Sequence, residues 1–257
     1  MNRMFNKTQH AQHITTSTMS PSLALHPLVR ADGSATFTSN LYTVLAAANG
    51  PVEVSRRDEL PEEAAIEVNI RPSSGVGGPR ERWMESVITS LLRSLLLVHL
   101  HPRMLVQVTL QITAEPSIKL KRGVADVALL PTLANAAFAA LVDGGLPLER
   151  TMVAALAVVR EGEVVVEPTE KDLVGCQSVH AMAYSMKGEM LLTESTGRFD
   201  LELWEDVSER LRETTMAAMA KAGEDEGMEG GAEKGEPWLR HALKENVVKA
   251  NAWREGG

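Results

Sequence analysis

Cys176 and His180 stand four residues apart. A thiol that can hand its proton to an imidazole is the core of a cysteine nucleophile, and such pairs work when a third group orients the base. The surrounding segment GCQSVHA reads as a turn entering a strand, and no orienting acid is identified, so a structural role is favoured for both residues. His10 and His13 have the i, i+3 spacing that places two ligands on one helix face, yet no cysteine or carboxylate pair lies nearby to complete a zinc set. His99 and His101 follow a helical pattern and read as structural residues at its end. These constellations lead us to expect no metal and no cofactor. Arg71, Arg80 and Arg82 are candidates of another kind. They fall in a Gly-, Ser- and Pro-rich stretch, 71–82, and guanidinium groups suit phosphate oxygens. They read equally well as solvated loop charges or as partners of acidic neighbours.

The elements that must position these residues are legible from periodicity. SATFTS and TVLAAA flank Ser39-Asn40 and read as a β-hairpin, ended by Asn49-Gly50-Pro51 because proline cannot donate to a sheet ladder. AIEVNI alternates, with Ile66, Val68 and Ile70 inward, and so does MLVQVTLQI after His101-Pro102-Arg103. Residues 81–98 carry apolar side chains at helical spacing, with Trp83, Val87, Leu91 and Leu95 flanked by Met84, Ile88 and Leu92. A polar link, TAEPSIKLKRG, precedes an Ala-rich helix expected to begin near Pro131 and to end at Asp143-Gly144-Gly145. TMVAALAVV and VVVEP pair through Arg160-Glu161-Gly162-Glu163, and SVHAMAYSM and MLLTEST through Lys187-Gly188. TMVAALAVV and SVHAMAYSM are apolar on both faces, as expected where helices or neighbouring molecules cover them. Asp200 is placed to cap a helix with Leu203, Val207 and Leu211 on one face. The last segment starts a helix at Pro237, its apolar face drawn from Trp238, Leu239, Leu243, Val247 and Val248.

At 257 residues, with 44% hydrophobic side chains, the chain can bury a sizeable core. Aromatic content of 4% leaves Ala, Leu and Val to build it. With 26 basic and 34 acidic residues the net charge is −8, so no overall basic surface announces a nucleic-acid binder. A single cysteine excludes an internal disulfide and fits a reducing compartment. No apolar run is read as a membrane span, and the N-terminus lacks the apolar core of a signal peptide, which together point to the cytosol or nucleus. Residues 1–22 read as a flexible tail, 23–222 as the folded domain, 223–236 as an acidic Gly-rich linker and 237–257 as a C-terminal helix. The element order favours α+β, a mixed sheet-and-helix sandwich with a C-terminal helical extension.

Two strings at matching distance, R-A-D-G-S-A and T-V-L-A-A-A-N-G-P-V-E-V, resemble the opening of the RNase PH family. The resemblance covers about residues 23–222 and implies the RNase PH fold. Its enzymes shorten RNA from the 3′ end with inorganic phosphate, which requires an anion site of arginine and glycine-exposed N–H groups, beside aspartates for acid–base work or a divalent metal. The family's phosphate site, D-G-G-T-R, precedes a helix ending in A-L-V-D. Counting back from Ala140-Leu141-Val142-Asp143 sets Asp126 on the aspartate, Val127 and Ala128 on the glycines, Leu129 on the threonine and Leu130 on the arginine. Of the acidic motif, Asp172 matches the first aspartate, Ser178 replaces the second, and His180 stands in the asparagine's place. The basic segment Lys119–Arg122 looks like an insertion.

HPRMLVQVTLQI, ALVDGG and VVVEPT extend the resemblance to the catalytically degenerate members that build the ring of the eukaryotic RNA exosome. What this implies is a non-catalytic ring subunit with no cofactor, partnered by other RNase PH-like subunits and RNA, not by a membrane, in nucleus, nucleolus and cytoplasm. Arg71, Arg80 and Arg82 then fall on the loop that faces the pore. The rival readings are an active phosphorolytic exonuclease with an unconventional phosphate site, and a self-associating nucleic-acid-binding protein. Phosphate-dependent shortening of RNA and the assembly state separate them.

Overall fold

The computed structural model describes residues 21–220 and 238–255. The expected tail falls almost wholly outside the described residues, and the acidic linker does so entirely. One sheet holds β1 (Ser22–Leu25), β2 (Gly33–Thr38), β3 (Thr43–Glu53), β4 (Ala65–Arg71) and β5 (Met104–Ala114) in the order β1-β2-β3-β5-β4. Only the β4–β5 pair in it is parallel. The second sheet is antiparallel, in the order β7-β6-β8-β9, from β6 (Met152–Arg160), β7 (Glu163–Val166), β8 (Ser178–Ser185) and β9 (Met190–Gly197). Helices α1 (Pro79–Leu95) and α2 (Arg122–Asp143) pack on the first sheet, and α2 also packs on β6, β8 and β9 of the second. A short α3 (Glu170–Leu173) follows β7, α4 (Leu201–Ala220) covers the far side of the second sheet, and α5 (Trp238–Glu255) lies against β1. This is the α+β sandwich expected.

Alternation explains the sheets. In β5, Val106, Val108, Leu110 and Ile112 are buried, while Gln107, Thr109 and Gln111 keep partial exposure. β6 and β8 are buried on both faces for a different reason. Ala154, Leu156, Val158, Val179 and Ala181 join the core built on α2; Ala155, Ala157, Val159, Met182 and Tyr184 join a second one with Val207 and Leu211 of α4. Helices of the same chain, rather than neighbouring molecules, cover both faces.

Three expectations need correction. Pro51 does not end its strand. β3 runs on to Glu53, and the proline sits where the register with β5 shifts between Asn49 and Val52, so no ladder bond is asked of it. Helix α2 begins at Arg122, not near Pro131, which lies inside it. An internal proline costs about 3 kcal/mol. Val127, Leu129 and Leu130 are 5%, 0% and 0% exposed, and burying three such side chains contributes roughly 1.5–3 kcal/mol each, so burial outweighs the proline. The apolar run overlooked by that boundary makes α2, at 22 residues and a mean hydropathy of 1.6, long and apolar enough to cross a membrane. It is instead the central core helix, with 83% of the apolar window buried inside the protein. In α5, Val247 and Val248 are 58% and 68% exposed, and the packed side is carried by Ala242, Leu243 and Asn246 instead.

The two most recognisable strings of the sequence meet in space. Asp143, at the end of α2, accepts from the Ser34 N–H at 2.9 Å, lies 3.2 Å from His26 Nδ1 and accepts from Asn246 Nδ2 at 3.3 Å. Gly33 lies so close to α2 that a Cβ there would stand 2.3 Å from both the Ala140 oxygen and the Gly144 nitrogen. Both obstacles are backbone and cannot rotate away. Gly33→Ala is therefore expected to lower stability by about 3 kcal/mol or more, measured by urea denaturation. An unchanged midpoint would show that α2 is not clamped to β2 this closely.

Candidate functional site

Residues 127–130 lie in the second and third turns of α2, after the first four N–H groups of the helix. Their amides are spent within the helix, and the Val127, Ala128, Leu129 and Leu130 side chains are in the core. Nothing at these positions is placed to hold an anion. Asp126 just before them is ion-paired with Arg80 Nε, and the Tyr42 hydroxyl donates to Ala125 O at 3.3 Å. Burial pushes the Tyr42 phenol up to about 12, a shift that Arg80 opposes. A guanidinium does therefore reach this region, from α1, and a carboxylate of the protein already takes it.

Asp172 and Ser178 are equally committed to structure. Asp172 Oδ2 accepts from Thr169 N at 2.8 Å and from Thr169 Oγ1 at 2.6 Å, closing a capping box on α3. Ser178 is buried and its hydroxyl lies 2.9 Å from His180 Nε2, while His180 Nδ1 lies 2.8 Å from Ser195 Oγ. The Phe199 ring meets the imidazole edge-on at 4.8 Å. Burial pulls the His180 pKa down to about 4, so the ring is neutral at physiological pH. With both nitrogens held by serines, His180 is not a base for Cys176, whose thiol is itself pushed up by burial. Among the described residues no group of three His, Cys, Asp or Glu is placed to hold a metal. His99 is exposed and His101 half-buried at the 3₁₀ turn Val98–Leu100; His10 and His13 lie outside the described residues.

The arginines part company. Arg71 ends β4 and is exposed. The loop is shorter than its composition implies, because α1 starts at Pro79, capped by Glu81 Oε2 accepting from Gly78 N at 2.7 Å. Arg80 and Arg82 thus stand on the first turn of a helix; Arg82 is exposed, whereas Arg80 turns inward to Asp126. Of the basic segment, Lys121 is the N-cap of α2 and Arg122 its first residue. The partners Ser195, Phe199 and Arg80–Asp126 carry no sequence signal, since long-range packing brings them together.

Comparison with known proteins agrees with this architecture. The 3′ exoribonuclease family, domain 1 (RNase PH) matches residues 21–147. The exosome complex component RRP46 of Saccharomyces cerevisiae is 32% identical over 191 residues, covering 71% of this chain and 84% of that protein. The exosome complex exonuclease RRP46 homolog of Oryza sativa subsp. japonica is 36% identical over 152 residues, 59% of this chain and 60% of that one. The crystal structure of rice Rrp46 superposes with a TM-score of 0.64 at 31% identity, covering 74% of this chain and 86% of that one. An RNA-bound exosome chain of Archaeoglobus fulgidus gives a TM-score of 0.63 at 14% identity over 79% of this chain and 87% of that one, a likeness of fold alone.

The neutral His180 leaves a signature in the dependence of stability on pH. Its folded pKa, about 4, lies below the unfolded value near 6.5, so the unfolded chain binds the extra proton between them. Its contribution is full above about pH 6.5 and is lost as the pH falls toward 4. The wild-type advantage over His180→Gln in unfolding free energy should shrink by on the order of 2 kcal/mol across that window. A difference that stays flat with pH would mean that the imidazole titrates as if in water.

Proposed function

The chain belongs to the RNase PH family, and we propose that it serves as a ring subunit of the RNA exosome without phosphorolytic activity of its own. One observation carries the second half of that reading. At the positions of the family's phosphate site, α2 presents buried valine, alanine and leucines whose amides are already bonded. An inorganic phosphate placed there would be a buried dianion without partners, which costs several kcal/mol or more. Asp172 and Ser178, at the positions of the acidic motif, are tied into a helix cap and a histidine pair. The named relatives, which are exosome components, support the ring role, and neighbours built on the same fold are the partners it implies. Work in nucleus, nucleolus and cytoplasm follows from that assignment. In such a ring Arg71 and Arg82, both exposed, are the groups we assign to the RNA path, holding phosphates without reading sequence. Arg80 is better suited to holding α1 against α2 through Asp126.

Two outcomes test this. The purified chain, given single-stranded RNA, inorganic phosphate and Mg²⁺, should release no nucleoside diphosphate; release that Asp172→Asn abolishes would establish an active enzyme. In a ring reconstituted with the other RNase PH-like subunits, Arg71→Glu with Arg82→Glu should leave assembly intact and weaken RNA protection. The slope of log affinity against log salt should fall by about 1 for each arginine that no longer neutralises a phosphate. Protection equal to wild type would remove both arginines from the RNA path.

A further inference from the structure

A cavity of about 160 Å³ opens between the β2–β3 turn, one side of α2, β6 and the C-terminal half of α4. It touches the positions discussed above only at Ala128, and its walls are mainly apolar, with Phe37, Leu41, Val153 and Leu156 among them. Most of its polar side chains are already engaged. Ser39 and Thr132 meet at 3.0 Å, Asn135 spans both backbone groups of Ala154, and Thr214 and Thr215 donate back into α4. The exception is Glu167. No lysine, arginine or histidine among the described residues lines the cavity beside it.

Glu167 is held where it is at some cost. Its φ is +53°, in the left-handed region that side chains other than glycine, asparagine and aspartate rarely occupy. Two bonds fix the backbone there: Glu167 N donates to Leu156 O at 2.9 Å, and Asn40 Nδ2, from the β2–β3 turn, donates to Glu167 O at 2.9 Å. The residue is half-buried. That burial pushes its pKa up to about 7, opposed only by a backbone hydrogen bond from Leu156. A strained backbone that holds a half-buried, otherwise unpaired acid at the wall of an apolar cavity is an arrangement that folding alone does not favour.

We propose that this cavity is a binding site for a primary alkylammonium group, with Glu167 as its counter-charge. The volume is close to the 150 Å³ or so that accommodates benzene in an engineered core cavity, enough for a chain of four or five carbons. Apolar walls take the alkyl stem and the carboxylate takes the ammonium head, as in the packing of a lysine side chain. A free amine and a lysine side chain offered by another protein share that chemistry. Strong binding requires ionised Glu167, and among the described residues β6, α2, α4 and the β2–β3 turn present no other titratable side chain to the cavity. The nearby acids are engaged outside it: Glu170 accepts from Ser117 N, and Asp172 caps α3.

The test is calorimetric titration of the full chain at pH 6 and pH 8 with n-pentylamine, N-acetyl-lysine methylamide and, as the neutral control, n-pentanol. Both amines stay protonated across this range, since alkylammonium groups titrate near pH 10. Saturable binding of at least one amine is expected, roughly tenfold tighter at pH 8 than at pH 6, as follows from an acid titrating near 7. Pentanol should bind more weakly at pH 8. Glu167→Gln, nearly isosteric, should remove the pH dependence and weaken amine binding to the level of the alcohol. Binding of pentylamine alone assigns the site to free amines, and binding of the lysine derivative, alone or as well, to a protein side chain. Heats that fail to saturate with either amine, or amine binding unchanged by Glu167→Gln, would overturn the proposal.

Discussion

Everything in this molecule is arranged around a helix that has no outside. Helix α2 lies between two sheets, and from Val127 to Leu141 each of its residues is buried. A helix so placed cannot be amphipathic. It must be apolar or small all round, and its few polar groups must find partners inside. Asn135 does so by bonding both backbone groups of Ala154 on β6, at 2.8 and 2.9 Å. Asp143 does so at the helix end, on the backbone of Ser34. Run after run of alanine lets the sheets approach closely, which is why so few aromatic residues suffice to build the core.

The same constraint bears on function. A phosphate-handling loop needs open backbone, positive charge and water at the start of this helix. Here the helix begins at Arg122, and positions 127–130 are interior. The polar residues around it have been put to structural use. Arg80 and Asp126 hold α1 to α2, Asp172 closes a cap, and Ser178 with Ser195 pins a neutral His180. Such groups, already paired within the protein, add to the rigidity of the fold.

What was legible in the sequence was local. Alternation gave β4 and β5, Glu161-Gly162 gave the β6–β7 turn with its positive φ angles of 52° and 83°, and Asp200 gave the cap that accepts from Leu203 N at 2.9 Å. The misreadings occur where tertiary packing overrides a local rule. Pro131 looked like a helix start because its own preference is for the first turn, and only the burial of the residues before it reverses that. Pro51 looked like a strand end because the register break that tolerates it is a property of the β3–β5 pair. Val247 and Val248 looked inward, but the side of α5 that packs is chosen by β1 and Asp143. The family resemblance singled out positions 127–130, 172 and 178 as an expectation, whereas the partners those residues have in the structure lie largely on other elements and no spacing announces them.

Amide hydrogen exchange at residues 127–130, with and without inorganic phosphate, tests most directly whether the start of α2 is core rather than anion cradle. If the first half of α2 is core, these amides exchange only through global unfolding, as slowly as those of β6 and β8, and phosphate leaves them unchanged. Exchange within minutes, slowed when phosphate is added, would contradict it.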